Sequence, residues 1–195
     1  NIKSDLKLVL ASSSPRREEI LEHLNLKFTI VPAKIDEDNF NSSDPVELVK
    51  VLAAEKAKSV SGLVENAIII AADTVVVHNE NILGKPANEA EARKMLKKLN
   101  ADQHQVITGV AVLNSKTKES HVDYNITDVK MVALSDQEIA NYVDTGEPLD
   151  KAGSYAIQGF GGLFVEEIRG SYYSVMGLPI HQLAKLLQKF DYGIL

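Results

Sequence analysis

Leu8-Val9-Leu10-Ala11-Ser12-Ser13-Ser14-Pro15-Arg16-Arg17 places a strand, a hydroxyl-rich turn, a helix start and two cations in ten consecutive residues. The apolar run to Ala11 has the character of a buried strand. Ser14 is suited to an N-cap, and Pro15 fits the first helical position, where its missing N–H costs nothing. A helix therefore begins at the strand's end, the first of several places where helices interleave with strands. Its free N–H groups, the positive end of its dipole and the forks of Arg16 and Arg17 favour an anion, most naturally a phosphate. On this stretch alone, a capped surface helix with two solvated arginines is the competing reading.

The whole chain has 195 residues, 45% of them hydrophobic, which suits one domain over residues 1–195 with two lobes around one cleft. The longest purely apolar run, Ala67 to Ala72, is far too short to span a bilayer, and no cationic stretch followed by an apolar segment marks a secretion signal. The expected location is cytoplasmic, without a membrane partner. The chain lacks cysteine, so disulfides, thiolate metal sites and a cysteine nucleophile are excluded. A net charge of -6 argues against a nucleic-acid polymer as partner, though a local cation cluster can still hold one small phosphorylated ligand.

Outward from the opening stretch, the helix from Pro15 carries Ile20, Leu21 and Leu24 on one face and ends near Asn25, a residue suited to a left-handed cap. A second strand is expected over Phe28–Val31, followed by a polar loop from Pro32 to Ser43 with Asp36, Glu37 and Asp38 together. Asp44-Pro45-Val46-Glu47 reads as a capping box opening a helix to about Ser61. Lys56 shares the apolar side of that helix with Leu52 and Ala53; such a lysine either snorkels outward, the commoner outcome, or points into a polar cleft. Ala67–Ala72 has the continuous hydrophobicity of a doubly covered strand and runs into Asp73-Thr74, with strand character resuming at Val75–Val77. A turn at Asn79-Glu80-Asn81 leads to Ile82-Leu83 and Gly84-Lys85-Pro86. Asn88 with Glu91 caps a helix bearing Ala92, Met95, Leu96 and Leu99. Two long strands follow, Gln105–Leu113 and Ser120–Val132, and the parity of apolar positions in the second predicts a bulge near Thr127-Asp128. Ser135-Asp136-Gln137-Glu138 is a capping box, Asp150–Gly162 is glycine-rich and irregular, Leu163–Ile168 reads as a strand, and Leu178-Pro179 opens a last helix. The architecture expected is a mixed α/β sheet with flanking helices and a cleft between two lobes.

Gly84-Lys85-Pro86 lacks the flanking residues of a P-loop, and Gly159-Phe160-Gly161 has the wrong spacing for a dinucleotide fingerprint. The histidines at 23, 78, 104, 121 and 181 show neither zinc-helix spacing nor placement beside a nucleophile, so Ser12 to Ser14 read as hydrogen-bond donors rather than as a nucleophile. Asp73, after so apolar a run, either caps the next turn or binds a hard cation or accepts a proton from an attacking water. Glu37 is either an exposed loop acid or the second carboxylate of a Mg²⁺ site, an ion that takes few carboxylates, several waters and the substrate's phosphates. Lys85 and Gln158 taken singly are a hairpin-end lysine and a polar strand residue. Together with Arg16, Arg17 and Lys56, they fit a polyphosphate held by cations and a metal.

The motifs Leu10-Ala11-Ser12-Ser13-Ser14-Pro15-Arg16-Arg17, Glu55-Lys56-Ala57, Ala72-Asp73-Thr74, Gly84-Lys85-Pro86, Asp150-Lys151-Ala152-Gly153, Ile157-Gln158-Gly159 and Val175-Met176-Gly177-Leu178-Pro179 fall in order over nearly the whole chain. In these the sequence resembles the Maf family, nucleoside triphosphate pyrophosphatases also called septum-formation proteins. The resemblance implies an elongated mixed sheet with a central cleft, similar to the inosine triphosphatase fold, usually in a homodimer. It implies hydrolysis of a nucleoside triphosphate between the α and β phosphates to the monophosphate and pyrophosphate, with a divalent cation, Mg²⁺ or Mn²⁺. It matches Asp73 to the proton acceptor, Arg16, Thr74 and Gln158 to choice of base, Ser12, Arg17, Lys56 and Lys85 to the phosphates, and Glu37 with Asp73 to the metal. The Ile157–Gly162 form resembles the branch acting on dTTP, UTP and modified uridine triphosphates. Alternatives are a nucleotide-binding regulator of cell division that does not cut, and a housecleaning enzyme for purine triphosphates such as ITP.

Overall fold

The strands pair into one seven-stranded mixed sheet in a computed structural model that describes residues 6–195, so the first five residues of the expected 1–195 domain lie outside the described residues. The strands are β1 (Lys7–Leu10), β2 (Phe28–Ile30), β3 (Ala67–His78), β4 (Asn81–Leu83), β5 (Gln103–Asn114), β6 (Ser120–Met131) and β7 (Val165–Arg169). The helices are α1 (Pro15–His23), α2 (Pro45–Val60), α3 (Glu89–Leu99), α4 (Asp136–Asp144), α5 (Tyr172–Met176) and α6 (Ile180–Gln188). The sheet order is β2-β1-β3-β5-β6-β7, with β4 paired to β3. β1 is parallel to β2 and β3, whereas β4 on β3 and β7 on β6 are antiparallel. The mixed α/β sheet expected from the sequence is the one found.

Backbone contacts divide the chain into two units. The first comprises residues up to Asp73, Thr108–Asn125 and Gly177–Leu195; the second comprises Thr74–Ile107 and Ile126–Met176. In the first unit, Val9 and Ala11 of β1, Ala67, Ile69 and Ala71 of β3 and Ala111 and Leu113 of β5 pack against Ala53, Ala57 and Val60 of α2. Each fully buried aliphatic chain of Ile or Leu size contributes about 1.5–3 kcal/mol, so this face is strongly specified. Side chains alternate along a strand, so the row Ala67, Ile69, Ala71 continues with Asp73 on the α2 face. In the second unit, Val76, Leu83, Val106, Val129 and Met131 of the strands pack against Ala92, Leu96 and Leu99 of α3 and Ile139, Tyr142 and Val143 of α4.

The anticipated caps are present with small differences. Asp44 Oδ1 accepts the Val46 N–H at 2.9 Å at the start of α2, but Glu47 pairs with Lys50 at 2.7 Å instead of closing a box. Asn88 Oδ1 accepts the Glu91 N–H at 2.9 Å, and Ser135 with Glu138 forms a complete capping box on α4. Ser14 occupies the N-cap position of α1 without a side-chain cap bond, because the hydroxyl that turns back to the chain here belongs to Ser12. Asn25 is left-handed, with φ 53°, as its place after α1 requires.

Four local expectations change. β3 does not pause at Asp73-Thr74 but runs unbroken to His78: Thr74 and the three valines that follow favour strand, and the charge of Asp73 is met by Lys56. The acidic loop forms a short 3-10 turn over Glu37–Asn39, with the Asp36 side chain accepting the Asp38 N–H. β7 begins at Val165, after a 3-10 turn over Gly159–Phe164 that leaves Leu163 exposed. The recorded irregularity of β6 against β7 falls between Lys130 and Met131, three residues beyond the expected bulge. Burial keeps one parity through this stretch: Tyr124, Ile126 and Lys130 are exposed and Thr127, Val129 and Met131 are buried, so the apolar Tyr124 and Ile126 lie on the open side and do not mark a covered face.

Candidate active site

The turn after β1 is built around a hydroxyl and a guanidinium. Ser12 Oγ accepts the Ser14 N–H at 3.1 Å and an Arg17 Nη1–H at 3.3 Å, so in these contacts the serine is an acceptor rather than the donor expected. Arg17 Nε donates to the Gly177 carbonyl at 2.7 Å. Two of its donors are thereby fixed, and the plane of the fork is set. Burial holds Arg17 below the ordinary arginine value, opposed by the charges of Asp73 and, more weakly, Glu37. It remains a cation at any physiological pH. Gly177 was matched only as part of a motif, and its role as the anchor of Arg17 has no local signal, since the partners are 160 residues apart.

Asp73 and Lys56 form the centre. Lys56 Nζ donates to Asp73 Oδ1 at 2.6 Å, with the two side chains only 14% and 10% exposed. The same ammonium stands 2.8 Å from Glu37 Oε1, whose side chain is 55% exposed. Lys56 therefore does not snorkel, the commoner outcome for its position, because the shielded Asp73 holds it on the inner side while the more exposed Glu37 meets it from the loop. The 3-10 turn Glu37–Asn39 brings Glu37 to Lys56, and the alternation of β3 brings Asp73 there. Asp73 Oδ2 accepts no hydrogen bond from the described residues. Arg16 is half-buried beside Arg17 and acts on its charge. Three cations against two carboxylates leave the cluster with one net positive charge, suited to an anion.

Ser12, Arg16, Arg17, Glu37, Lys56 and Asp73 all belong to the first unit, while Thr74, Lys85 and Gln158 belong to the second. Thr74 is half-buried on the face of β3 opposite Asp73. Lys85 is exposed after β4, without an ionic partner among the described residues. The carbonyl of Gly84 beside it accepts the Gly153 N–H at 3.0 Å, joining two of the motif segments. Gln158 is half-buried at the start of the 3-10 turn Gly159–Phe164.

Among the described residues no group of three His, Cys, Asp or Glu side chains is placed to hold a metal ion. Glu37 and Asp73 are the two carboxylates that meet at Lys56 Nζ, at 2.8 and 2.6 Å.

A family profile described as "Maf-like protein" matches residues 7–190. The chain belongs to the Maf family. Among its relatives, a dTTP/UTP pyrophosphatase from Clostridioides difficile is 48% identical over 185 residues, 95% of both chains. A dTTP/UTP pyrophosphatase from Pelotomaculum thermopropionicum is 47% identical over 96% of this chain and 98% of its own. A third, from Alkaliphilus metalliredigens, is 48% identical over 94% of this chain and 95% of its own. The Maf motifs read from the sequence thus lie within a match that spans nearly the whole chain.

Proposed function

We propose that this Maf protein hydrolyses dTTP, UTP and modified uridine triphosphates to the monophosphate and pyrophosphate, with the Ser12–Arg17 turn, Lys56 and Asp73 as its chemical centre. The observation that carries the assignment of roles is the shielded Asp73 carboxylate, held through one oxygen by Lys56 beside the cationic start of α1. Water attacks the anhydride between the α and β phosphates, and its proton passes to Asp73 Oδ2 as pyrophosphate leaves. Lys56, drawn between Asp73 and Glu37, fixes the first carboxylate without occupying its second oxygen. Arg17, held by Gly177 and Ser12, contributes a fixed positive charge for phosphate oxygens, and Arg16 and Lys85 add to it. Thr74, Gln158 and Arg16 take the base. Glu37 and Asp73 would hold a divalent cation, which supplies neutralisation of the triphosphate and acidification of bound water. A homodimer belongs to the same reading and rests on the family resemblance, and a cytoplasmic location joins it on the hydropathy pattern of the chain.

Pyrophosphate release from dTTP, UTP and ITP with Mg²⁺ or Mn²⁺ tests it. Monophosphate and pyrophosphate should form, fastest from dTTP and UTP. Tight binding without turnover, release of single phosphate, or faster cleavage of ITP overturns the reading. Sedimentation of the protein addresses the dimer.

A further inference from the structure

The glycine-rich segment after Gln158 invites reading as a phosphate cradle, since its N–H groups are of the kind that bind oxyanions. In the structure two consecutive groups of that segment, the Phe160 and Gly161 N–H, are already filled. Glu147 Oε1 accepts the Phe160 N–H at 3.1 Å, and Oε2 accepts the Gly161 N–H at 2.9 Å, so one carboxylate uses both oxygens on consecutive peptides. The Tyr142 hydroxyl of α4 accepts the Ala156 N–H at 3.2 Å, and burial together with the nearby Glu147 carboxylate pushes its pKa upward, so it stays a neutral phenol. The Tyr142 ring meets Phe164 edge-on at 4.9 Å, at the far end of the same 3-10 turn. The loop is therefore gripped before Gln158, directly after it and at its end.

The glycines are complementary to that grip. Gly159 has φ +82°, and a Cβ there would overlap Glu147 Oε1; a Cβ on Gly161 would stand 2.7 Å from the Tyr142 hydroxyl. A side chain at Gly159 forces the carboxylate away, and one at Gly161 overlaps the Ala156 carbonyl oxygen as well as meeting the phenol. A carboxylate at the loop's N–H groups also repels a phosphate from them, so the loop is left to meet an uncharged part of the substrate, the base.

We propose that Glu147, supported by Tyr142, is a positioning residue that fixes the backbone carrying Gln158 and thereby sets which base is accepted. The proposal rests on the reading of Gln158 as a base-contacting residue. Glu147 touches no reacting atom; it acts through the loop.

The test joins amide hydrogen exchange with steady-state kinetics on UTP, dTTP and ITP for Glu147→Gln, Tyr142→Phe and Gln158→Ala. In Glu147→Gln one carboxylate oxygen becomes an NH₂ that faces an N–H, so exchange at Phe160 and Gly161 should rise about tenfold or more. KM for UTP should rise roughly tenfold with kcat changed less than about threefold, and the preference for UTP over ITP should narrow. Tyr142→Phe, which keeps the ring and is the fallback if Glu147→Gln does not fold, should move the same quantities in the same direction by about threefold. Faster exchange with KM and base preference unchanged overturns the proposal, as does unchanged exchange or a fall confined to kcat. If Gln158→Ala leaves the base preference intact, the reading of Gln158 fails, and the exchange data then judge the Glu147 grip by itself.

Discussion

Both units bury polar side chains, but they treat charge in opposite ways. In the first, Asp73, Lys56 and Arg17 keep their charges by facing one another across α1, α2 and β3. In the second, His104 is 2% exposed, and its Nε2 lies 2.6 Å from the Tyr155 hydroxyl. Burial pushes His104 down to about 4 and Tyr155 upward, so both are neutral at pH 7. A buried charge survives only where partners replace its lost hydration, and arranging those partners is worthwhile where a charged ligand must be met. Where the need is only to fill a core, a neutral hydrogen bond suffices.

The sharpest break in this contrast is Asp73→Asn, which keeps the shape and removes the carboxylate that the proposed mechanism uses as proton acceptor. Its rate of pyrophosphate release should fall about a hundredfold or more. Full activity in that variant removes Asp73 from the mechanism. Lys56→Met leaves Asp73 buried without its cation and should cost about 3–5 kcal/mol in denaturant unfolding, the usual effect of breaking a shielded pair. A loss below about 1 kcal/mol in that measurement means water already screens the pair.

The neutral side of the contrast is tested by acid. The folded state holds His104 near 4, against an ordinary 6.5, so between these values the unfolded chain binds more protons. Its contribution is complete above about pH 6.5, falls as pH drops, and is lost near pH 4, a change of about 3 kcal/mol. His104→Gln should unfold with a flatter pH profile over that window; an unchanged profile shows that His104 is not the group responsible. At the small end, Ser135→Ala removes the capping box of α4 and should lower stability by about 1 kcal/mol in urea unfolding, with pyrophosphate release unaltered.

Much of this was legible because it is local. Asp44, Asn88 and Ser135 announce helix starts through their own chemistry, and Asn79-Glu80 supplies the two left-handed residues of the β3–β4 hairpin, with φ 48° and 63°. Asp73 stood out against the apolar run before it. Less legible was whatever depends on a partner far along the chain. The side of α2 that carries Lys56 follows from helical spacing, but its inward turn depends on Asp73 and Glu37, 17 residues ahead and 19 behind. The same distance hid the continuity of β3, since an aspartate argues against strand until its lysine is known. Glu147 went unread because an isolated glutamate carries no pattern. The glycines at 159, 161 and 162 were the available signal, marking where something must approach closely.

The division of the chain has a consequence for anyone who would recombine it. The backbone passes between the units four times, at 73/74, 107/108, 125/126 and 176/177, and the first three passages fall inside β3, β5 and β6. A chimaera exchanging one unit between relatives needs four junctions, three of them within hydrogen-bonded strands where a change of one residue in length inverts every side chain beyond it. Point substitution within one unit avoids those junctions altogether.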